Sequence, residues 1–220
     1  MATPRYIVGI DLGTTNSVLA FVDTTADPAP IQVLAVPQLV KAGTVRAQDR
    51  LPSFLYLPVD GEFAKGSLDL PWGIPPRLVG ELARARGAEV PARVVTSAKS
   101  WLTVTNADPN GAILPWGAPD DVPRLSPVEA QAAYLTHLRA AWDAAMPAPL
   151  AKQEVYVAVP ASFDAAARDL TVKATEAAGL GGARLIEEPQ AAFYAWLARA
   201  PDWRTQVSVG DVILVCDIGG

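Results

Sequence analysis

Hydrophobic and polar residues follow different periods at the two ends of the chain. Near the N-terminus the apolar run Tyr6, Ile7, Val8 and Ile10 ends in Asp11; after Gly13, Thr14, Thr15 and Asn16 a second run follows through Val18, Leu19, Phe21 and Val22. Two apolar runs around a polar tip containing Gly and Asn predict a β-hairpin over 6–23. A proline-rich link at 27–30 precedes a third short strand over 31–36, a turn-rich loop over 37–50, and an extended strand from Pro52 to Leu57. Strands in such close succession predict an antiparallel meander.

Between Gly66 and Pro123 frequent prolines interrupt any long period. Leu78 to Ala88 has helical spacing and carries Arg84, Arg86 and Gly87, the basic last turn and glycine stop of a short helix. Val94 to Leu102 is apolar or small around Lys99, which spacing alone reads as a snorkelling side chain with its head in water. Ser126-Pro127-Val128-Glu129 supplies an N-cap, a first-turn proline and a capping-box glutamate. Val128, Ala132, Leu135, Leu138 and Trp142 then share one helical face, a core face, until Pro147 ends the helix. The last third alternates: strand 155–159, helix 164–178 stopped by Gly179, strand 184–186, helix 189–200, strand 212–216. That order predicts parallel pairing, so the expected fold class is α/β, with a mixed five-stranded-type sheet flanked by helices.

Composition narrows the partners. The 220 residues suffice for one large domain or two small ones, and 18 basic against 23 acidic residues give a net charge of −5. With no Lys/Arg cluster, a nucleic-acid partner is not expected. No run approaches about 18 apolar residues and no basic leader precedes an apolar core, so neither membrane spanning nor secretion is expected, and the expected location is the cytoplasm. The single cysteine, Cys216, lies in an apolar stretch and reads as a buried structural thiol. His137, the one histidine, reads as a surface or satisfied side chain rather than a metal ligand.

Chemistry gathers at strand ends. A turn through Gly13 and Asn16 can fold back tightly and present backbone N–H groups outward, a nest for anionic oxygens. Asp11 beside such an anion is unfavourable unless a divalent cation lies between them, which points to phosphate with Mg²⁺. The alternative is a surface hairpin whose Gly and Asn serve only the turn; an acid between two apolar runs argues against it. Ligands of parallel sheets collect at the carboxyl ends of strands. Glu188 and Asp217 occupy such places, although a glutamate at 187 or 188 also suits a helix entry. Asp217, followed by Gly219 and Gly220, repeats the acid-then-glycine pattern, so two loops would grip one ligand from facing sides.

DLGTTNS at 11–17, PSF at 52–54, AKSWL around Lys99, VPASF at 159–163, Arg168, AAGL at 177–180, EEPQAA at 187–192 and DIGG at 217–220 stand in the order of a known family. The chain resembles the ATPase domain of the DnaK-type heat-shock chaperones (the heat-shock protein 70 family), most closely at 6–23 and 154–220. The resemblance implies a ribonuclease-H-like, actin-like ATPase lobe binding ATP/ADP with Mg²⁺. Residues 1–220 would be its N-terminal lobe, truncated inside the second phosphate motif. It implies that Gly13, Thr14, Thr15, Asn16, Gly219 and Gly220 bind the phosphates and that Asp11 and Asp217 hold the metal through its waters. Lys99, beside the γ-phosphate, Glu188 and Asp217 would be catalytic, so the resemblance replaces the snorkelling reading of Lys99. Pro160 and Arg168 resemble an allosteric relay to a peptide-binding domain, although Val172 stands where that relay often has a lysine. In the full-length parent the implied partners are unfolded peptides, a J-domain co-chaperone and a nucleotide-exchange factor, in a stress-response setting.

With one wall of the cleft, the isolated chain is expected to bind ATP weakly and hydrolyse it negligibly, since water would reach the phosphates and no closure would orient them. Two other classes compete: a sugar kinase or other small-molecule phosphotransferase of the same superfold, and a non-catalytic scaffold.

Overall fold

A computed structural model describes residues 4–216. Strands β1 (Tyr6–Leu12) and β2 (Asn16–Asp23) pair antiparallel, with Leu12 opposite Ser17, forming the expected hairpin. Alternation along β1 buries Tyr6, Val8, Ile10 and Leu12 and turns Ile7, Gly9 and Asp11 to the opposite face. Strand β3 (Gln32–Val33) continues the meander on β2.

The region read as a loop over 37–50 contains a second hairpin, β4 (Val36–Lys41) with β5 (Thr44–Gln48). Its signal was weak because β5 buries none of its side chains and so carries no apolar alternation. The extended strand expected from Pro52 is split. β6 (Leu51–Pro52) joins β2, whereas β7 (Leu55–Tyr56) lies between β8 (Leu78–Val79) and β9 (Val94–Val95) in a separate three-stranded sheet. Leu78 and Val79 are therefore strand, and helix α1 (Glu81–Glu89) begins only after Gly80. Gly87 is buried inside α1 rather than ending it; a Cβ there would come within 2.5 Å of Val94, so glycine lets the helix lie against β9. Leu39, Tyr56, Leu70, Leu78, Leu82 and Ala83 form the small core of this region.

Helix α2 (Pro127–Ala145) carries the full capping box, Ser126 accepting from Glu129 N–H and Glu129 accepting from Ser126 N–H. Strand β10 (Glu154–Val159), helix α3 (Ala165–Ala177, capped by Asp164), strand β11 (Arg184–Glu187), helix α4 (Glu188–Arg199) and a short helix α5 (Trp203–Gln206) follow. The main sheet runs β11-β10-β1-β2-β3, with β6 also on β2. β11, β10 and β1 are parallel and the others antiparallel, so the sheet is mixed, as expected. The strand expected at 212–216 does not form: these residues pair with no strand among the described residues, and Val212 and Leu214 are exposed. An apolar run becomes a strand only where a neighbouring strand supplies ladder bonds and side-chain pairs.

Helix α2 covers the buried face of the sheet through Trp142, which meets Tyr6 and Phe21 edge-to-face at centroid distances of 5.3 and 5.2 Å. Helix α3 packs beside α2, and α4 lies against β10 and β11. No helix among the described residues is long and apolar enough to cross a membrane.

Candidate functional site

Alternation along β1 delivers Asp11 to the sheet face opposite the core, and the parallel register places Ala158 of β10 beside it. Beyond Asp11 the chain turns through Gly13, Thr14 and Thr15 before β2 starts at Asn16. This turn is held from below. The Ser53 hydroxyl donates to the Gly13 carbonyl at 2.8 Å and lies 3.0 Å from the Ser17 hydroxyl, while Ser53 N–H donates to the Thr15 carbonyl at 2.9 Å. Ser17 and Ser53 are both buried, so the backbone of the turn is fixed by hydrogen bonds that water cannot replace. Gly13 is required by proximity: a Cβ there would lie 2.2 Å from the Asn16 carbonyl oxygen.

Lys99 reaches the same cleft from the segment that follows β9. Ser97 adopts a left-handed φ of 53°, and Lys99 then opens a single 3-10 turn over Ser100–Thr103. The lysine is only 7% exposed and its Nζ pairs with the Glu188 carboxylate, so it does not snorkel to water. Glu188 is the first residue of α4, whose entry is fixed by Pro189. A buried lysine with one carboxylate partner is a neutral pair that costs desolvation, and such a pair needs compensating interactions or a ligand.

Asp11, Gly13, Thr14, Thr15, Asn16, Lys99 and Glu188 all line one open cleft of about 700 Å³, with Ala158 and three alanines of α4 forming its smooth floor and side. That volume lies in the range of small-molecule sites. Its chemistry is polar where the turn and the Lys99–Glu188 pair meet and apolar along α4. No cluster of three or more His, Cys, Asp or Glu side chains capable of holding a metal ion exists among the described residues. A single Asp11 is still a fitting donor for Mg²⁺ delivered with a polyphosphate, which typically takes one or two protein carboxylates.

The remaining sequence expectations divide. Asp217, Gly219 and Gly220 lie outside the described residues. Cys216 is exposed and borders the cleft, contrary to the buried thiol expected from its apolar neighbours. Pro160 and Arg168 stand outside the cleft but connect to it. The Pro160 carbonyl accepts from Phe163 N–H, Arg168 donates to the Phe163 carbonyl at 3.1 Å and to Glu187 at 2.7 Å, and Glu187 immediately precedes Glu188. His137 is buried elsewhere, on the Pro37 carbonyl at 2.9 Å and edge-on to Trp72, and burial lowers its pKa to about 4. Sequence reasoning missed Arg50, which lines the cleft, and the support role of Ser17 and Ser53. Ser17 lies on β2 and Ser53 in the bend after β6, so no sequence pattern signalled their pairing.

The family model described as "Hsp70 protein" matches residues 76–220, which includes Lys99 and Glu188 and much of the proline-broken segment, but not the Gly13–Asn16 turn. The chaperone protein HscA homolog of Azotobacter vinelandii is 31% identical over 98% of this chain, turn included, and over 31% of its own length. The HscA of Edwardsiella ictaluri is likewise 31% identical, with the same shares of each chain. The HscA homolog of Burkholderia multivorans is 32% identical over 87% of this chain and 28% of its own length. The chain thus spans under a third of these relatives, and it belongs to the Hsp70 family.

Proposed function

We propose that residues 1–220 form the N-terminal lobe of an actin-like ATPase domain, the ATP-binding and hydrolysing lobe of a DnaK-like chaperone. The observation that supports this most is the convergence of Asp11, the Gly13–Asn16 turn and the buried Lys99–Glu188 pair on one cleft. In this reading Gly13, Thr14, Thr15 and Asn16 receive the β- and γ-phosphates through backbone N–H and hydroxyl donors, and Gly219 and Gly220 join them in phosphate binding. Asp11 and Asp217 would hold Mg²⁺, which when bound would neutralise charge developing on the phosphates. Lys99 contributes a fixed positive charge beside the γ-phosphate, and Glu188 orients water through the carboxylate oxygen that Lys99 leaves free. Asp217 completes the catalytic set.

In this reading Arg168, which bonds Glu187 and the Phe163 carbonyl, carries a change at Glu188 towards Pro160 and the surface of α3. That surface would transmit nucleotide state to peptide binding in the whole protein, with unfolded peptides, a J-domain co-chaperone and an exchange factor as partners. Cytoplasmic residence and a stress-response role go with the same proposal. Family membership favours this reading over a sugar kinase.

The test is a titration of Mg·ATP into the chain, followed by a steady-state hydrolysis assay. Saturable but weak binding, reduced in Asp11→Asn and Lys99→Ala, with turnover near the uncatalysed background, is expected. No saturation leaves a non-catalytic scaffold. A steady turnover that disappears in Lys99→Ala overturns the expectation of negligible hydrolysis.

A further inference from the structure

Two cationic side chains line the cleft, and only one of them is committed. Lys99 is paired with Glu188, whereas Arg50 is an exposed residue that forms neither an ion pair nor a side-chain hydrogen bond among the described residues. An exposed arginine ordinarily needs no explanation, but the backbone that carries this one is built with unusual care. The Arg50 carbonyl accepts from Gln38 Nε2 at 2.7 Å, and the same amide's Oε1 accepts from Glu81 N–H at 3.0 Å. Gln38 is fully buried, so its amide ties β4, the residue before β6, and the first turn of α1 into one unit. Gly80 makes room for it. A Cβ there would lie 2.6 Å from Gln38 Oε1 and 2.8 Å from Leu51, and Gly80 adopts a φ of 87° that other residues rarely reach.

The next residues are tied to the anion-binding turn itself. Leu51 and Pro52 pair with Ser17 and Asn16, and Ser53 bonds the carbonyls of Gly13 and Thr15. Arg50 therefore borders the cleft from a root fixed to both the Gly13–Asn16 turn and a buried amide. Its guanidinium presents planar paired donors, a geometry that matches two phosphate oxygens.

We infer that Arg50 is a binding residue for the polyphosphate of the nucleotide, supplying the uncommitted positive charge on the β6 side of the cleft. The inference rests on the proposed nucleotide reading of this cleft. Pre-fixing the root of the side chain lowers the ordering cost of each bond it makes, and Lys99 contributes less net attraction because Glu188 already balances it.

The experiment compares the chain with Arg50→Ala and Arg50→Lys by calorimetric titration of Mg·ATP, ADP and AMP at low and moderate salt. Losing one charge-assisted contact predicts roughly tenfold weaker ATP binding in Arg50→Ala, a smaller loss for AMP, partial recovery in Arg50→Lys, and a shallower dependence on salt. Equal ATP affinities for the chain and Arg50→Ala, or equal losses for ATP and AMP, overturn the role of Arg50 and leave the nucleotide reading standing. Failure of ATP to bind the unsubstituted chain overturns both.

Discussion

Replacing Gly13 by alanine tests the turn without touching the core. The added Cβ would sit 2.2 Å from the Asn16 carbonyl oxygen, against 3.4 Å for an ordinary contact, so the turn must open by about 1.2 Å (3.4 − 2.2). The carbonyl cannot simply rotate away, because its residue begins β2, whose backbone is flanked by β1 on one side and β6 on the other. Overpacking of this kind costs about 1–3 kcal/mol of stability, and a misplacement near 1 Å at a binding constellation costs up to about a hundredfold in function. Gly9, four residues earlier on β1, is the internal control: nothing lies within 4 Å of a Cβ there. Gly9→Ala should stabilise by about 0.5 kcal/mol, the usual penalty of a strand glycine, and leave ligand affinity unchanged. Urea unfolding and Mg·ATP titration of both variants measure the two effects together. If Gly13→Ala matches Gly9→Ala in midpoint and affinity, the close turn is not what shapes the site.

Three further outcomes follow from the packing. His137 is buried neutral with a pKa near 4 against 6.5 unfolded, so the unfolded chain binds the extra proton between those values. Stability should therefore be complete above pH 6.5 and fall by about 3 kcal/mol towards pH 4, a component that urea midpoints across pH will find missing in His137→Gln. The buried Tyr134 hydroxyl has no hydrogen-bond partner among the described residues, and burial raises its pKa far above the ordinary phenol value. Tyr134→Phe should be neutral or stabilising by about 1 kcal/mol in the same assay, and a clear loss of stability would reveal a partner. Trp142 is fully buried against Tyr6 and Phe21 and donates to the Ala148 carbonyl at 2.8 Å, so Trp142→Ala should cost about 3–5 kcal/mol; a loss under 1 kcal/mol would mean the cluster is not central.

The parts of the fold legible in the sequence are those where local chemistry and tertiary packing agree. The β1–β2 hairpin, the Ser126 capping box of α2 and the β10-α3-β11-α4 alternation each carry a pattern that their environment uses directly. The failures have the opposite character. β4 and β5 form a hairpin that exposes β5, so periodicity was silent. Leu78 and Val79 have helical spacing yet serve a strand, because β7 is available to pair with them. The run at 212–216 has strand composition and no described strand beside it. Within the cleft, Asp11 and the turn were readable from an acid stranded between apolar runs. Lys99 was not, because spacing cannot distinguish a lysine reaching water from one reaching Glu188, 89 residues away. Arg50 was invisible for a similar reason: its place depends on Gln38 and Gly80, which only the folded chain brings together.

Amide chemical-shift mapping on addition of Mg·ATP tests the central claim most directly. The account predicts saturable shifts at residues 13–16, Lys99 and Glu188, with the β7-β8-β9 sheet unmoved. Shifts confined to other surfaces, or none at saturating nucleotide, would contradict it.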